Sequence, residues 1–257
     1  MIGIFDSGFG GLSVAREINR LLPNYDFIYL GDQQRVPYGG RSIESIQKFS
    51  EEALLKLWEL GAKLIIIACN TASAEALHHL QIKYPQHKIL GILIPAVEDS
   101  LNESGAIGVI ATKATVNSGA YLREIHKRDP QRSVYQVAAP LLVPLIEEGY
   151  TKHPLTRKLL KNYLRSLKNA QVHTLILGCT HYPLIEKLFL SPHWKIINSG
   201  LSAAQKLEDY LARHPEIEKQ LSKNSTRQFF STDQVDHFSK IGSRFYGQEI
   251  QAQKIDL

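Results

Sequence analysis

Short apolar runs alternate with amphipathic stretches along almost the whole chain, and no other sequence feature constrains the fold as strongly. The runs are four or five residues long, which is typical of buried strands. Between them, Ser42–Leu60 carries apolar residues at helical spacing and is followed by Gly61, a common helix stop. Strands that alternate with helices through short connections indicate a mainly parallel α/β architecture. The predicted strands are Ile2–Phe5, Phe27–Leu30, Leu64–Ile67, Ile89–Leu93, Ile107–Ile110, Val134–Val137, Thr174–Leu177 and Trp194–Ile197.

Two segments of the chain resemble each other, and their cysteines lie 110 residues apart. Leu64–Thr71 and Thr174–His181 each run from a predicted strand through a small residue to a cysteine and then to a threonine. The separation is close to the length of one small α/β domain. We therefore expect two similar lobes, each with a thiol at the carboxyl end of a strand, where ligands of such sheets bind.

Cys69 and Cys179 are the only cysteines, too few for a disulfide framework. A cysteine between a strand and a helix is favoured as the thiolate, because the positive end of the helix dipole lies beside it. Either cysteine alone could also be a small buried apolar residue of the core. The strand-Cys-Thr sequence that both share favours a functional pair. Two thiols on opposite walls of a cleft suit inversion of a carbon centre, since one group removes a proton and the other returns one to the opposite face.

His181 lies two residues after Cys179 and adds an imidazole that can polarise a proton transfer or bind a carboxylate. Cys69, Cys179 and His181 are also a conceivable set of metal ligands, although they lack the close paired spacing of structural zinc sites. A thiol redox protein or a zinc protein therefore stays open as an alternative at this point.

A glycine-rich turn, Asp6–Gly11, follows the first predicted strand. It does not match a dinucleotide-binding loop, because Ser13 stands where the third glycine belongs. We interpret it as a tight turn that lets backbone amides approach a small ligand. Asp6 is either a helix cap or a carboxylate that assists a thiol. Tyr38 and Gly39 lie in a second loop, which is either a simple turn or part of the cleft wall.

Four motifs together resemble those of the aspartate/glutamate racemase family in order and spacing, and the resemblance weakens only after about Leu207. The resemblance implies two similar Rossmann-like (flavodoxin-like) lobes with the active site in the cleft between them. Residues 1–94 with 205–257 would form the first lobe, residues 95–204 the second, and the stretch after Leu207 would be helices packed on the first lobe. The motifs are Asp6–Gly11, Gly31-Asp32 with Arg35–Gly39, Ala68–Ser73 and Gly178–Leu184.

The resemblance also implies an activity, namely interconversion of L- and D-glutamate without a cofactor or metal, supplying D-glutamate for peptidoglycan synthesis. Members of the family often dimerise, so we expect a homodimer. The implied catalytic residues are Cys69, Cys179, Asp6, His181 and Glu147. The implied substrate contacts are Asp6, Ser7, Tyr38, Gly39, Asn70, Thr71, Thr180 and His181.

The remaining sequence features bear on partners and location. The net charge is +5, but the basic residues are dispersed, which disfavours nucleic acid as a partner. No apolar run is long enough to cross a membrane, and the first residues do not resemble an export signal, so we expect a cytoplasmic protein. Two further alternatives stay open: a racemase of aspartate or another amino acid, and a non-catalytic protein that binds DNA gyrase, a role reported for some family members.

Overall fold

The computed structural model describes residues 1–257 and contains ten strands and thirteen α-helices. All eight predicted strands are present, and their ends differ from the prediction by at most two residues. The strands are β1 (Ile2–Asp6), β2 (Phe27–Gly31), β3 (Leu64–Ile67), β4 (Lys88–Gly91), β5 (Ile107–Ala111), β6 (Val134–Ala138), β7 (Thr174–Gly178), β8 (Lys195–Asn198), β9 (Arg227–Ser231) and β10 (Ala252–Lys254). The helices are α1 (Leu12–Leu21), α2 (Ile43–Glu59), α3 (Asn70–Glu75), α4 (Leu77–Lys83), α5 (Leu93–Leu101), α6 (Lys113–Asn117), α7 (Ala120–Arg128), α8 (Leu142–Glu147), α9 (Pro154–Asn169), α10 (Glu186–Phe189), α11 (Ser199–Arg213), α12 (Pro215–Glu218) and α13 (Val235–Tyr246).

The strands form two separate sheets in which every pairing is parallel. The first sheet has the strand order β10-β9-β2-β1-β3-β4, and the second has the order β6-β5-β7-β8. This arrangement confirms the predicted α/β class with two Rossmann-like lobes. Because the strands of each sheet are parallel, their carboxyl ends lie along one edge, which is where such sheets bind ligands. Cys69 follows β3 at that edge of the first sheet, and Cys179 follows β7 in the second.

Helix α2 has the bounds that its sequence predicts. Ser42 has extended backbone geometry, and its hydroxyl accepts a hydrogen bond from the backbone N–H of Ser45 at 3.3 Å, as an N-cap residue does. The apolar face, which includes Ile46 and Leu57, is buried. Gly61 has a φ of +94°, the left-handed conformation that ends helices and favours glycine.

Buried apolar residues pack on both faces of both sheets. The largest cluster joins the two sheets, since it contains Ile4 of β1 and Leu177 of β7 together with Phe238 of α13. A second cluster, with Ile65, covers the other face of the first sheet, and a third, with Ile176, covers the other face of the second. Both faces of the central strands are therefore buried, which explains why these strands are continuously apolar. None of the helices combines the length and the apolar composition that crossing a bilayer would require.

The expectation that the stretch after Leu207 consists of helices is wrong in part. Strands β9 and β10 extend the first sheet beyond β2, and only α12 and α13 are the expected helices. Strand β9 has the sequence Arg-Gln-Phe-Phe-Ser, in which charged and polar residues flank only two apolar ones. This strand lies near the edge of the sheet and is only partly buried, which is why it lacks the apolar run by which the central strands were found.

The predicted lobe boundaries fall inside helices. The boundary at residues 94 and 95 lies in α5, and the boundary at residues 204 and 205 lies in α11. Helix α11 packs against both α5 and α1. The chain therefore passes between the two sheets through packed helices, and the division into two folding units stays a prediction.

Candidate active site

A cavity of about 420 Å³ lies between the two sheets, at the carboxyl ends of their strands. Its walls come from the segments that follow β1, β3, β5, β6 and β7, and from the loop around Tyr38. Ten of the eleven predicted site residues line the cavity, whereas Asp6 lies behind its wall. The ten are Ser7, Tyr38, Gly39, Cys69, Asn70, Thr71, Glu147, Cys179, Thr180 and His181.

Cys69 is the thiol of the first sheet. It caps α3, because its Sγ atom accepts a hydrogen bond from the backbone N–H of Ala72 at 3.5 Å, and it lies 3.5 Å from the hydroxyl of Ser7. Burial, together with the nearby negative charge of Asp6, raises the pKa of Cys69 to about 12, in spite of the hydrogen bonds from Ser7 and Ala72. Cys69 is therefore a protonated thiol near neutral pH.

Cys179 is the thiol of the second sheet, and its neighbour is an imidazole. Its Sγ atom lies 3.8 Å from Nδ1 of His181, and Nε2 of His181 lies 2.8 Å from Oε1 of Glu147. Burial lowers the pKa of His181, but the hydrogen bonds with Cys179 and Glu147 outweigh it and raise this pKa to about 10. His181 is therefore a cation near neutral pH, and it lies next to the sulfur atom of Cys179.

Asp6 is fully buried and connects the two sheets. One carboxylate oxygen accepts the backbone N–H of Gly8 at 3.0 Å, and the other accepts the hydroxyl of Thr180 at 3.5 Å. Burial raises the pKa of Asp6, although the charge of His181 and these hydrogen bonds oppose the increase. A Cβ atom on Gly10 would lie 2.4 Å from the Thr180 hydroxyl, so this approach of the two sheets requires glycine.

The loop that carries Tyr38 and Gly39 is held by Asp32, which is fully buried. Asp32 accepts hydrogen bonds from the Tyr38 hydroxyl at 2.6 Å, from Nε of Arg35 at 2.6 Å and from the Thr232 hydroxyl at 3.0 Å. The hydroxyl of Tyr38 is thus already bonded. Tyr38 lines the cavity wall next to Gly39.

The polar side-chain atoms of Asn70 and Thr71 are also bonded within the protein. The Asn70 amide donates to Ser199 at 3.3 Å and accepts from the Tyr121 hydroxyl at 2.6 Å, while the Thr71 hydroxyl lies 3.0 Å from that of Thr112. Both residues belong to the first turn of α3, whose N–H groups have no acceptor within the helix. Their backbone, rather than their side chains, is therefore free to bind a ligand.

Comparisons with known proteins agree with this geometry. A family model described as Asp/Glu/Hydantoin racemase matches residues 2–207. A glutamate racemase from Persephonella marina is 41% identical over 262 residues, which cover 100% of this chain and 97% of the relative. The chain belongs to the aspartate/glutamate racemase family. It is therefore an isomerase that acts as a racemase.

Solved structures of this racemase family match the whole fold. A glutamate racemase from Bacillus anthracis superimposes with a TM-score of 0.93 at 35% identity, covering 100% of this chain and 97% of that one. A glutamate racemase from Francisella tularensis, solved in complex with D-glutamate, gives a TM-score of 0.92 at 37% identity, covering 99% and 97%. The similarity thus extends beyond residue 207, where the family model ends.

Several residues that line the cavity of this racemase were missed from the sequence. Thr112 and Lys113 follow β5 directly, just as Cys69 and Cys179 follow their strands, so the same strand-end rule would have found them. The other lining residues outside the predicted set have no polar side chain that would mark them in the sequence. They are Gly8, Val36, Pro37 and Gly40, which lie in or beside the two predicted loops, and Ala139, Pro140, Val143 and Pro144, which lie after β6 and in α8.

The structure contains no set of ligands for the alternative interpretation, a metal centre. No three or more His, Cys, Asp or Glu side chains come together in a way that could hold a metal ion. Cys69 and His181 accordingly have other partners, Ser7 and Glu147. The geometry of these residues is that of two separate thiol sites on one cavity.

Proposed function

We propose that this racemase interconverts L- and D-glutamate without a cofactor, and that Cys69 and Cys179 are its two acid–base groups. One observation carries the proposal: two strand-end thiols, one from each sheet, line the same cavity, and each has its own polar neighbour. The names of relatives that match the whole chain support glutamate as the substrate. Inversion at Cα needs such a pair, because the proton leaves from one face and returns to the other.

The surroundings of the two thiols suit opposite roles in one half of the reaction. Cys179, beside the cationic His181, acts as the thiolate that removes the α-proton and becomes a thiol. Cys69, a thiol near neutral pH, then donates its proton to the other face of the carbanion and becomes a thiolate. The opposite direction begins with the reverse protonation states, and we propose that Asp6 assists Cys69 as His181 and Glu147 assist Cys179.

We propose that backbone N–H groups bind the substrate carboxylates. The N–H groups of Ser7 and Thr180 form no hydrogen bond within the protein, and those of Asn70 and Thr71 have no acceptor within α3. Amides at such positions bind anions without a cationic side chain. Gly39, with the ring of Tyr38, forms the facing wall. Fixing the carboxylates places Cα between the sulfur atoms, and this positioning supplies part of the barrier reduction.

The activity is tested by following L-glutamate and D-glutamate separately in D₂O, with purified protein and no added cofactor. Loss of the α-proton signal in the NMR spectrum together with loss of optical rotation is the expected result. Folded protein that leaves both signals unchanged would refute the proposal. Aspartate is the second substrate to test, and faster turnover of aspartate than of glutamate would transfer the proposal to that amino acid.

The two-thiol mechanism is tested with the single substitutions Cys69→Ala and Cys179→Ala. Each variant should lose racemisation by a factor of at least about 10³, because one face of the substrate then has no acid–base group. Each should still exchange the α-proton of one enantiomer with solvent, and the two variants should prefer opposite enantiomers. Exchange of the same enantiomer by both variants would contradict one thiol per face.

Wider features of the protein belong to the same proposal. We infer that it supplies D-glutamate for peptidoglycan synthesis in the cytoplasm, that it is a homodimer, and that residues 1–94 with 205–257 and residues 95–204 are its two lobes. Light scattering coupled to size-exclusion chromatography measures the oligomeric state directly. A mass close to 29.0 kDa, that of one chain, would contradict the dimer.

A further inference from the structure

Lys113 is the one cationic side chain of the cavity lining that has no partner. Besides Lys113, the lining contains one cation, His181, whose Nε2 atom is paired with Oε1 of Glu147 at 2.8 Å. Lys113 forms no hydrogen bond and no ion pair through its side chain, and it is exposed. An exposed residue that also lines the cavity stands at its opening.

The local structure gives Lys113 no other role. It is the first residue of α6, where unpaired N–H groups concentrate partial positive charge, and a cation at that end of a helix is unfavourable. Thr112 already caps this helix, since its hydroxyl accepts the backbone N–H of Thr115 at 3.3 Å. The ammonium group therefore contributes nothing to the helix that carries it.

The backbone of Lys113 is nevertheless held firmly at the cavity. The neighbouring Thr112 lies 3.0 Å from the Thr71 hydroxyl of the first sheet, and a Cβ atom on Gly39 would lie 3.1 Å from Cβ of Thr112. These contacts join the start of α6 to the opposite wall. The long side chain thus extends from a fixed point on the rim and keeps its charge in solvent at the entrance.

From these observations we infer that Lys113 favours amino acids that carry a second carboxylate, because its ammonium group attracts their net negative charge into the cavity. This inference rests on the proposed function. An amino acid with a neutral side chain has no net charge and gains nothing from the ammonium group. The proposed carboxylate donors deeper in the cavity are neutral N–H groups, and the charge of His181 is paired with Glu147, so Lys113 supplies the long-range attraction that they lack.

The size of the effect follows from Coulomb's law. Two opposite unit charges about 7 Å apart in water attract each other enough to change an affinity about threefold. Replacing Lys113 by glutamine should therefore raise the dissociation constant of glutamate about threefold, and replacing it by glutamate about ninefold. Salt at about 1 M, where the Debye length is about 3 Å, should remove most of both differences.

The experiment compares Lys113→Gln, Lys113→Glu and Lys113→Arg with Lys161→Gln. Lys161 is an exposed lysine of α9 that has no ion pair and does not line the cavity, so it controls for the loss of one charge. Calorimetric titration with glutamate at about 0.02 M and about 1 M salt gives the affinities. The racemisation assay gives KM and kcat for the same proteins.

We expect KM to rise with the dissociation constant in the first two variants, while kcat changes less than twofold and Lys113→Arg behaves as the wild type. Equal affinities of Lys113→Gln and Lys161→Gln at low salt would overturn the inference, as would a difference that persists in 1 M salt. Wild-type protein that binds glutamate without racemising it would refute the proposed function but not the role of Lys113. Wild-type protein that does not bind glutamate would overturn both.

Discussion

At the scale of single residues, the two thiols are alike in sequence setting and different in electrostatic surroundings. Cys69 lies near the buried carboxyl of Asp6, whereas Cys179 lies beside the His181 imidazole, whose pKa is raised by its hydrogen bonds with Cys179 and Glu147. In the proposed mechanism, these surroundings suit Cys179 to accept a proton and Cys69 to donate one. A racemase needs both at once, in either order.

The pair formed by His181 and Glu147 should also be visible in protein stability. The pKa of His181 rises to about 10 in the folded protein from about 6.5 when unfolded. A raised pKa means that protonated His181 stabilises the fold fully below pH 6.5, and that this contribution disappears as the pH rises through 10. Glu147→Gln should therefore lower the free energy of unfolding most at pH 6 and least above pH 10.

Urea unfolding at pH 6, 8 and 10 measures this dependence. Glu216→Gln is the matched control, because Glu216 forms the same kind of pair with His214 at 3.0 Å, but on the exposed surface. A difference between wild type and Glu147→Gln that stays constant over this pH range would show that the carboxylate does not hold the proton on His181.

The sequence could identify the cysteines and their neighbours because each lies at a strand end next to a short, distinctive motif. It could not show that the Tyr38 hydroxyl is bonded to Asp32, or that the Asn70 side chain is bonded to Tyr121. Asn70 and Tyr121 are distant in the chain and meet only when the two sheets pack together. Lys113 follows β5 and so satisfies the strand-end rule, but its charge resembles that of any other exposed lysine until the cavity beside it is known.

At the scale of elements, the addition of β9 to the first sheet depends on a turn held by one carboxylate. Asp26 precedes β2 and accepts hydrogen bonds from the backbone N–H groups of Asn224 and Thr226 at 2.9 and 2.7 Å, and from the Asn224 side chain at 2.9 Å. Burial alone would raise the pKa of Asp26, but hydrogen bonds from Ser222, Thr226 and Asn224 hold it well below its usual value. The carboxylate thus fixes the start of β9 beside the start of β2.

Asp26→Ala should destabilise the protein by about 1–3 kcal/mol, because the hydrogen bonds to the buried carboxylate are lost. A lowered pKa means that the contribution of Asp26 is complete above about pH 4 and is lost as the pH falls through the folded value. Urea unfolding at pH 7 and pH 3 measures both effects. The exposed Asp209→Asn serves as control, and an Asp26→Ala variant as stable as this control at pH 7 would show that the turn does not need its carboxylate.

The same turn explains why β9 could not be predicted from the sequence. Central strands such as β3 and β7 are buried on both faces and are continuously apolar, so composition alone reveals them. Strand β9 owes its place to pairing with β2 and to the hydrogen bonds of Asp26, which lies about 200 residues earlier in the chain. Interactions between such distant residues leave no local pattern.

At the scale of the whole molecule, the last fifty residues add β9 and β10 to the sheet that contains β1. Helix α13 places Phe238 and Phe245 against Phe9, and Phe245 lies 5.1 Å from the His181 ring. The C-terminal segment therefore packs directly behind the site. It thus supports the candidate site from behind, although the family model ends at residue 207.

A chain that ends at Leu207 should consequently fail to fold, because it lacks two strands and the aromatic side chains that cover Phe9. Circular dichroism and the yield of monodisperse protein measure this outcome. Removal of Asp256 and Leu257, which are exposed, should leave both unchanged. A folded, active protein ending at Leu207 would show that β9, β10 and α13 are an addition to a complete domain.

The unequal surroundings of the two sulfur atoms have a thermodynamic consequence. Mirror-image amino acids have equal free energies in water, so their equilibrium constant is unity, and no arrangement of protein groups can alter it. The ratio kcat/KM must then be identical for both directions in the wild type and in every variant. The asymmetry between Cys69 and Cys179 can therefore change only the separate values of kcat and KM for each direction, which must change by the same factor. The enantiomer with the lower KM is then also the one with the lower kcat.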